Sequence, residues 1–373
     1  MSPINRVLIV GGGTGGLSTA IALGKVGVSS AIVEKKQDWT VLGSGVTMMG
    51  ATLRALGELG LAEECVRRGA GCQEVVICDH EGNRVDSVPV ARVAGPGLPA
   101  MAGIMRPELH GMLVDAARDA GTEVRLATTV TSVTPIDGGA TVRFSDGSES
   151  SYDLVVAADG IHSEVRDRLW GEEYRPSYTG QTVWRALVPR PTDYAEMSMF
   201  YGPRSKAGIN AVSETTAYLF MNTTGTERPP RQEWPEIVRG FLADFAGPLA
   251  EIRESIEDPD LIDCRPLQAN LVGAPWNRGS VFLVGDAAHA PTPQIAMGAG
   301  LAVEDAIVLS RLVGEGLSGH ELAHGYTERR FPRCRMAVEN SLQLDAWERM
   351  HGSPDADPGR LSAETWAALG EPI

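Results

Sequence analysis

Short apolar runs alternate along this chain with stretches whose apolar residues recur at helical spacing. Val7 to Val10 is apolar throughout, Leu17, Ala20, Ile21, Leu23 and Val26 follow with a period near that of a helix, and Ala31 to Val33 is apolar again. That order predicts strand, helix and second strand, the opening unit of a parallel sheet. Ala51 to Arg68 has a helical pattern throughout. Glu74 to Val90 alternates instead around "DHEGNR", whose Gly82-Asn83 predicts a hairpin turn. A helix opened by Pro107 should run to Asp119, with strands at Glu123 to Leu126 and on either side of "DGGA". Leu154 to Ala158 then reads as a buried strand.

The texture changes between about Gln181 and Cys264. Strand-like runs "TVWRALV", "MSMFYG" and "AYLFMN" precede a helical "PEIVRGFLADFA", the pattern of a largely antiparallel domain inserted into the first. Val281 to Val284 returns to parallel-sheet texture and Leu301 to Val313 is a strong helix. The chain is therefore expected to be α/β with a discontinuous first domain, 1–72, 98–178 and 265–373. The second domain takes 73–97 and 179–264.

With 43% hydrophobic and 22% charged residues over 373 positions, the composition is that of a soluble globular protein of more than one core. A net charge of −15 speaks against nucleic acid as a partner, which would require clustered lysine and arginine. No run is long enough to span a membrane and no secretory leader is evident, so a cytoplasmic location is expected. The five cysteines include no C-x-x-C pair and suit reduced thiols better than disulfides or a zinc site.

The chemistry begins at "GGGTGG". Gly11, Gly13 and Gly16 form a G-x-G-x-x-G that follows a predicted strand, opens a predicted helix, and is followed at the end of the next strand by Glu34. In such a turn the first glycine permits the tight bend, the second lets a pyrophosphate approach, and the third lets helix and strand pack closely. An acidic residue at position 34 suits ribose hydroxyls and not a 2′-phosphate, so FAD or NAD fits and NADP does not. Further along, "SVFLVGDAAHAPTPQIAMGAG" ends a strand in Gly285-Asp286 and places His289 three residues on. Asp286 and His289 admit three readings: a metal or acid/base pair, a dinucleotide contact, or a solvated loop.

"DLVVAADGIHSEVR" carries Asp153, Ala158, Asp159, Gly160, Ser163 and Arg166 in the spacing D-x-x-x-x-A-D-G-x-x-S-x-x-R. This resembles the DG motif of the class A, single-component flavoprotein monooxygenases, the family of para-hydroxybenzoate and salicylate hydroxylases. "GSVFLVGDAAHAPTP" resembles the GD motif of the same family, with Asp305-Ala306 in the helix beyond. Thr292-Pro293 and Ala296 to Gly300 depart from its commonest form, in the direction of the salicylate-hydroxylase-like branch.

The resemblance implies a Rossmann-like FAD-binding domain of glutathione-reductase type, an inserted mostly antiparallel substrate domain, and C-terminal helices. It implies FAD held by Gly11, Gly13, Gly16, Glu34, Lys35, Arg106, Val130, Asp159, Gly160 and Asp286, the last on the ribityl chain. NADH or NADPH would reduce the flavin, dioxygen would give a C4a-hydroperoxide, and a small aromatic substrate would be hydroxylated by a monomer or homodimer. The Gly298-Ala299-Gly300 turn, at the start of a helix, offers N–H groups to the reduced flavin. Pro293 lines the substrate side by resemblance. Tyr218 and Asn210, with Arg185, Tyr201 and Met221, are the substrate-side candidates of the inserted sheet.

No metal is expected, because His289 has no histidine or cysteine at ligand spacing, and His289 and His162 read as structural. Two rivals are weighed. A flavin dehydrogenase or halogenase lacks support from the single tryptophan of "TVWRALVP", and a non-catalytic escort protein has no need of an intact flavin fingerprint.

Overall fold

The apolar runs converge on one sheet. In this computed structural model, which describes residues 4–39, 43–192, 194–202, 205–225, 228–350 and 356–373, six strands lie side by side. Their order is Asn277–Arg278, Val281–Leu283, Leu154–Ala157, Arg6–Val10, Ser29–Val33 and Glu123–Arg125. All neighbours are parallel except the first pair. Leu8 and Ile9 are fully buried, as expected for a parallel sheet covered on both faces, and this is why the strands read as unbroken apolar runs. The helices Thr14–Lys25, Arg106–Asp119 and Gly298–Gly314 start at the residues singled out for chemistry.

One expectation is corrected here. The helical pattern from Ala51 to Arg68 is two helices, Gly50–Leu59 and Ala62–Arg68. Gly60 separates them at φ +84°, and its N–H bonds to the carbonyl of Gly57, a left-handed cap that no other residue adopts as readily.

The second large element is an eight-stranded sheet. It runs His289–Ala290, Ile262–Leu271, Ser177–Pro189, Thr216–Thr224, Lys206–Ala211, Met197–Tyr201, Glu74–Asp79 and Arg84–Pro89. Only Met197–Tyr201 and Glu74–Asp79 pair in parallel. One face buries Trp184, Phe200, Ile209 and Leu219 against Val238, Leu242, Leu249 and Ile252, on and beside the helices Trp234–Phe241 and Pro248–Ser255. The other face looks into a cleft. A small sheet of Gly45–Met49, Met101–Met105 and Ala70–Cys72 supplies part of the cleft wall.

The helices Gly319–Arg349 and Pro358–Gly370 close the fold. Arg333 donates to the carbonyls of Ala368 and Leu369, and Arg54 to those of Gly370 and Glu371, so the last turn is held by cations suited to a helix C-terminus. All five cysteines are buried and free. Among the described residues no helix is long and apolar enough to cross a membrane.

Candidate active site

A cleft of about 1240 Å³ runs from the glycine turn to the open face of the eight-stranded sheet. At its first end the three glycines serve different needs. A Cβ on Gly11 would stand 2.4 Å from the carbonyl oxygen of Ala158, and one on Gly16 would stand 2.0 Å from that of Gly11, so both are required by packing. A Cβ on Gly13 would meet nothing within 4 Å, because that position opens on the cleft. The helix beyond has no side-chain cap, leaving first-turn N–H groups for a phosphate.

Glu34 is already aimed. Its carboxylate accepts from the N–H of Gly12 at 2.9 Å and from that of Lys36 at 2.9 Å, which leaves further lone pairs for ribose hydroxyls. Trp39 and His110, which the sequence reading did not single out, flank Gly12. Their rings lie 5.4 Å apart, and His110 Nε2 is 2.9 Å from the Gly12 carbonyl, an acceptor that requires the ring to donate. Burial lowers the His110 pKa and favours the neutral ring. The available signal was spacing: His110 lies four residues after Arg106, on the same helix face.

In the middle of the cleft stand Arg106 and Asp286. Both open on the cavity, and among the described residues neither side chain makes a hydrogen bond or ion pair. Burial is the main influence on each, lowering the Arg106 pKa, with Arg265 adding to it, and raising that of Asp286, against the pull of His289 and Arg106. Although the cleft walls enclose them, both side chains remain exposed to its solvent, so a ligand that displaces that water has to pair their charges. The hydroxyl-rich ribityl chain of FAD is such a ligand, and the residues present fit it.

Directly beneath Asp286 the charges are paired. Asp305 accepts from the N–H of Gly285 at 2.8 Å, from His289 Nε2 at 2.6 Å and from Arg330 Nε at 2.7 Å. Arg330 also reaches Glu304 at 2.9 Å, and His289 stacks on Trp276. All four charged residues are fully buried. Burial opposes the charge on His289, but Cys334 and Asp305 overturn this and raise its pKa well above the ordinary value. His289, Asp305 and Cys334 stand close enough to suggest a metal, but the Arg330 guanidinium already bonds both Asp305 and Cys334. His289 is thus part of the support under the Gly285 turn.

The DG segment is also partly scaffold. Asp159 accepts from the Ser163 hydroxyl at 2.5 Å and from the N–H of Val165 at 3.2 Å, closing its own turn and not lining the cleft; Gly160 and His162 line it instead. His162, expected to be structural, is exposed there. Three further cofactor candidates stand outside the cleft lining. Lys35 is exposed away from the cleft while Lys36 lines it, since successive residues of an extended segment face opposite ways. Val130 is core, its carbonyl taken by Arg168, and Gly300 packs within contact of Thr52 while Gly298 and Ala299 line the cavity.

On the substrate side, Pro293, Tyr218, Arg185 and Tyr201 line the cleft. Tyr218 shares a 2.6 Å hydrogen bond with the Thr47 hydroxyl, and Asn210 donates to that same hydroxyl at 2.9 Å. Asn210 is therefore covered by Thr47 and orients it, without lining the cavity itself. Burial raises the Tyr218 pKa, keeping the phenol protonated. Arg185 lies 3.9 Å from Asp263, and burial, aided by Arg106, brings its pKa down to about 10. Met221 packs beside Trp184 in the helix-covered core and also reaches the cavity lining. Ala296, where the commoner pattern has glycine, sits at φ +52° in the turn between Pro293 and Gly298, a strained conformation for a residue with a Cβ. Gln294 in the same turn donates toward Gln181, Asp345 and Glu348, joining the turn to the large sheet and the long helix.

The FAD binding domain family model matches residues 5–341. The 2-heptyl-3-hydroxy-4(1H)-quinolone synthase of Pseudomonas aeruginosa (strain UCBPP-PA14) is 33% identical over 313 residues, 82% of this chain and 80% of that protein. The aurachin C monooxygenase/isomerase of Stigmatella aurantiaca is 31% identical over 357 residues, 92% and 90%. Among solved structures, HpxO of Klebsiella pneumoniae complexed with FAD and uric acid superimposes with a TM-score of 0.85 at 23% identity, covering 98% of this chain and 96% of that one, a likeness of fold.

Proposed function

The chain belongs to the FAD-binding-domain family and is a flavoprotein monooxygenase, and from that premise we propose that it hydroxylates an aromatic or heteroaromatic compound. The carrying observation is the single cleft in which unpartnered Arg106 and Asp286 separate the glycine turn from the sheet face. The relatives named above, a quinolone synthase and an aurachin monooxygenase, support the same substrate class.

Bound FAD, reduced by NADH or NADPH, supplies activation of dioxygen and transfer of one oxygen atom to the ring. The protein's part is positional. Glu34 takes ribose hydroxyls, Asp286 and Arg106 take the ribityl chain, and the uncapped N–H groups at Gly298 and Ala299 meet negative charge on the reduced ring. Tyr218, held protonated and fixed by Thr47, donates a hydrogen bond to a ring oxygen of the substrate. Pro293, Leu187 and Phe220 keep water away from the reacting atoms.

In this reading segments 1–72, 98–178 and 265–373 carry the cofactor, and 73–97 and 179–264 carry the substrate. A cytoplasmic location, supported by five unpaired thiols, belongs to the same proposal, as does a monomer or homodimer. The test is purification with flavin absorbance, then a screen of phenols and N-heteroaromatics for stimulated NAD(P)H oxidation under labelled dioxygen. Label in the product is expected. Product whose oxygen derives from water, or a protein that binds no FAD, overturns the reading.

A further inference from the structure

The open face of the eight-stranded sheet is set out in rows by its register. The middle row reads Asp263, Arg185, Phe220, Gly208, Met199 and Ile77, each paired with the next across neighbouring strands, and all six line the cleft. The row divides sharply. Its first two residues are charged and stand near Arg106; the other four carry no charge and cover three strand spacings, about 14 Å, before the exposed Asp86 pairs with Ile77 on the edge strand.

The row above continues the apolar part with Met197 and Val75, and the row below offers Tyr201 beside Lys206, whose ammonium is already paired with Glu348. Val88 and Tyr201 remain 36% and 50% exposed at the outer end. Gly208 keeps the row open. A Cβ there would stand 2.1 Å from the Phe220 ring, so any side chain would push that ring toward the cavity.

We propose that the substrate is an aromatic head bearing an unbranched apolar chain, the head beside Tyr218 and Pro293 and the chain lying over Gly208, Met199 and Ile77. The identity of the head rests on the monooxygenase reading; the slot rests on the sheet face alone. A polar or charged extension over Gly208 and Met199 would leave its hydration without replacement, because Lys206 in the next row is already paired with Glu348 and the row's outer end carries the exposed carboxylate of Asp86, opposite Ile77. A methylene chain exchanges water for apolar side chains, which at full burial tightens binding by up to about fourfold per carbon.

The holoenzyme can be tested without turnover. Para-alkylphenols from methyl to nonyl are titrated against the flavin absorbance band in the absence of NAD(P)H. The expected result is a dissociation constant that falls roughly two- to fourfold per added carbon and then levels once the slot is filled. Met199→Glu, and separately Ile77→Asp, should flatten the series, with the flavin spectrum reporting that each variant is folded. A constant that is unchanged or rises with chain length in the wild type overturns the proposal. The two readings fail separately: methylphenol hydroxylated without any length effect removes the slot, and length-dependent binding without oxygenated product removes the monooxygenase assignment.

Discussion

Two groups of charged side chains meet at the Gly285 turn, one below it and one above. Below, Asp305, His289, Arg330 and Glu304 are fully buried and bonded to one another at 2.6 to 2.9 Å. Above, Arg106 and Asp286 carry their charges into the cleft without a partner among the described residues. By residue type the groups are alike; pairing tells them apart. A buried charge that the chain itself satisfies holds the fold in one arrangement, and an unpaired charge exposed within a cleft marks a place where a ligand completes the structure.

That contrast can be broken most directly at Asp305. Asp305→Asn leaves two buried cations facing a neutral amide, and a loss of about 3–5 kcal/mol in urea unfolding is expected, with flavin lost as a consequence. A loss under about 1 kcal/mol, within the range of an ordinary hydrogen bond, would mean that the lower group is no more structural than the upper.

Asp286→Ala should do the reverse. Hydrogen bonds to a charged group contribute about 1.5–3 kcal/mol, so FAD affinity should fall roughly ten- to a hundredfold by fluorescence titration. The unfolding midpoint of the apoprotein should hold, because in the empty cleft the Asp286 side chain is exposed and bonds to nothing among the described residues. Unchanged flavin retention would sink the ribityl assignment.

The smallest effect is pH dependence. His289 has a raised pKa in the folded state, so its contribution is fully present below the unfolded value of about 6.5 and is lost as pH rises through the folded pKa. Stability should therefore decline by at most about 1.4 kcal/mol per pH unit above about 6.5. His289→Gln should flatten that part of the curve; a wild-type curve that rises with pH there would contradict the assigned charge.

The parallel sheet and the glycine turn were legible because their signals are local. A strand buried on both faces must be apolar throughout, and a turn facing pyrophosphate must be glycine at fixed positions. The substrate side was not legible to the same degree. Lys206–Ala211 contains two alanines, a glycine and an asparagine among its six residues and offers little strand signal, although it carries Gly208 and Asn210. Asn210 and Thr47 are 163 residues apart in sequence, and their bond decides that Asn210 orients a hydroxyl and does not line the cavity. Asp159 was drawn to the cofactor by its motif, yet its carboxylate is spent on its own loop. Leu219 illustrates the period of two: a single step along the strand from Phe220 moves a side chain from the cleft to the helix-covered core.

The eight-stranded sheet also has to end somewhere, and an unpaired strand edge is a template for aggregation. At one end lies the two-residue strand His289–Ala290, wholly buried. At the other lies Arg84–Pro89, short, mostly exposed, carrying Arg84 and Asp86 and finishing in a proline that has no N–H to donate. That outer edge is a poor template for a second chain, so copies of this protein that associate should do so through some other surface.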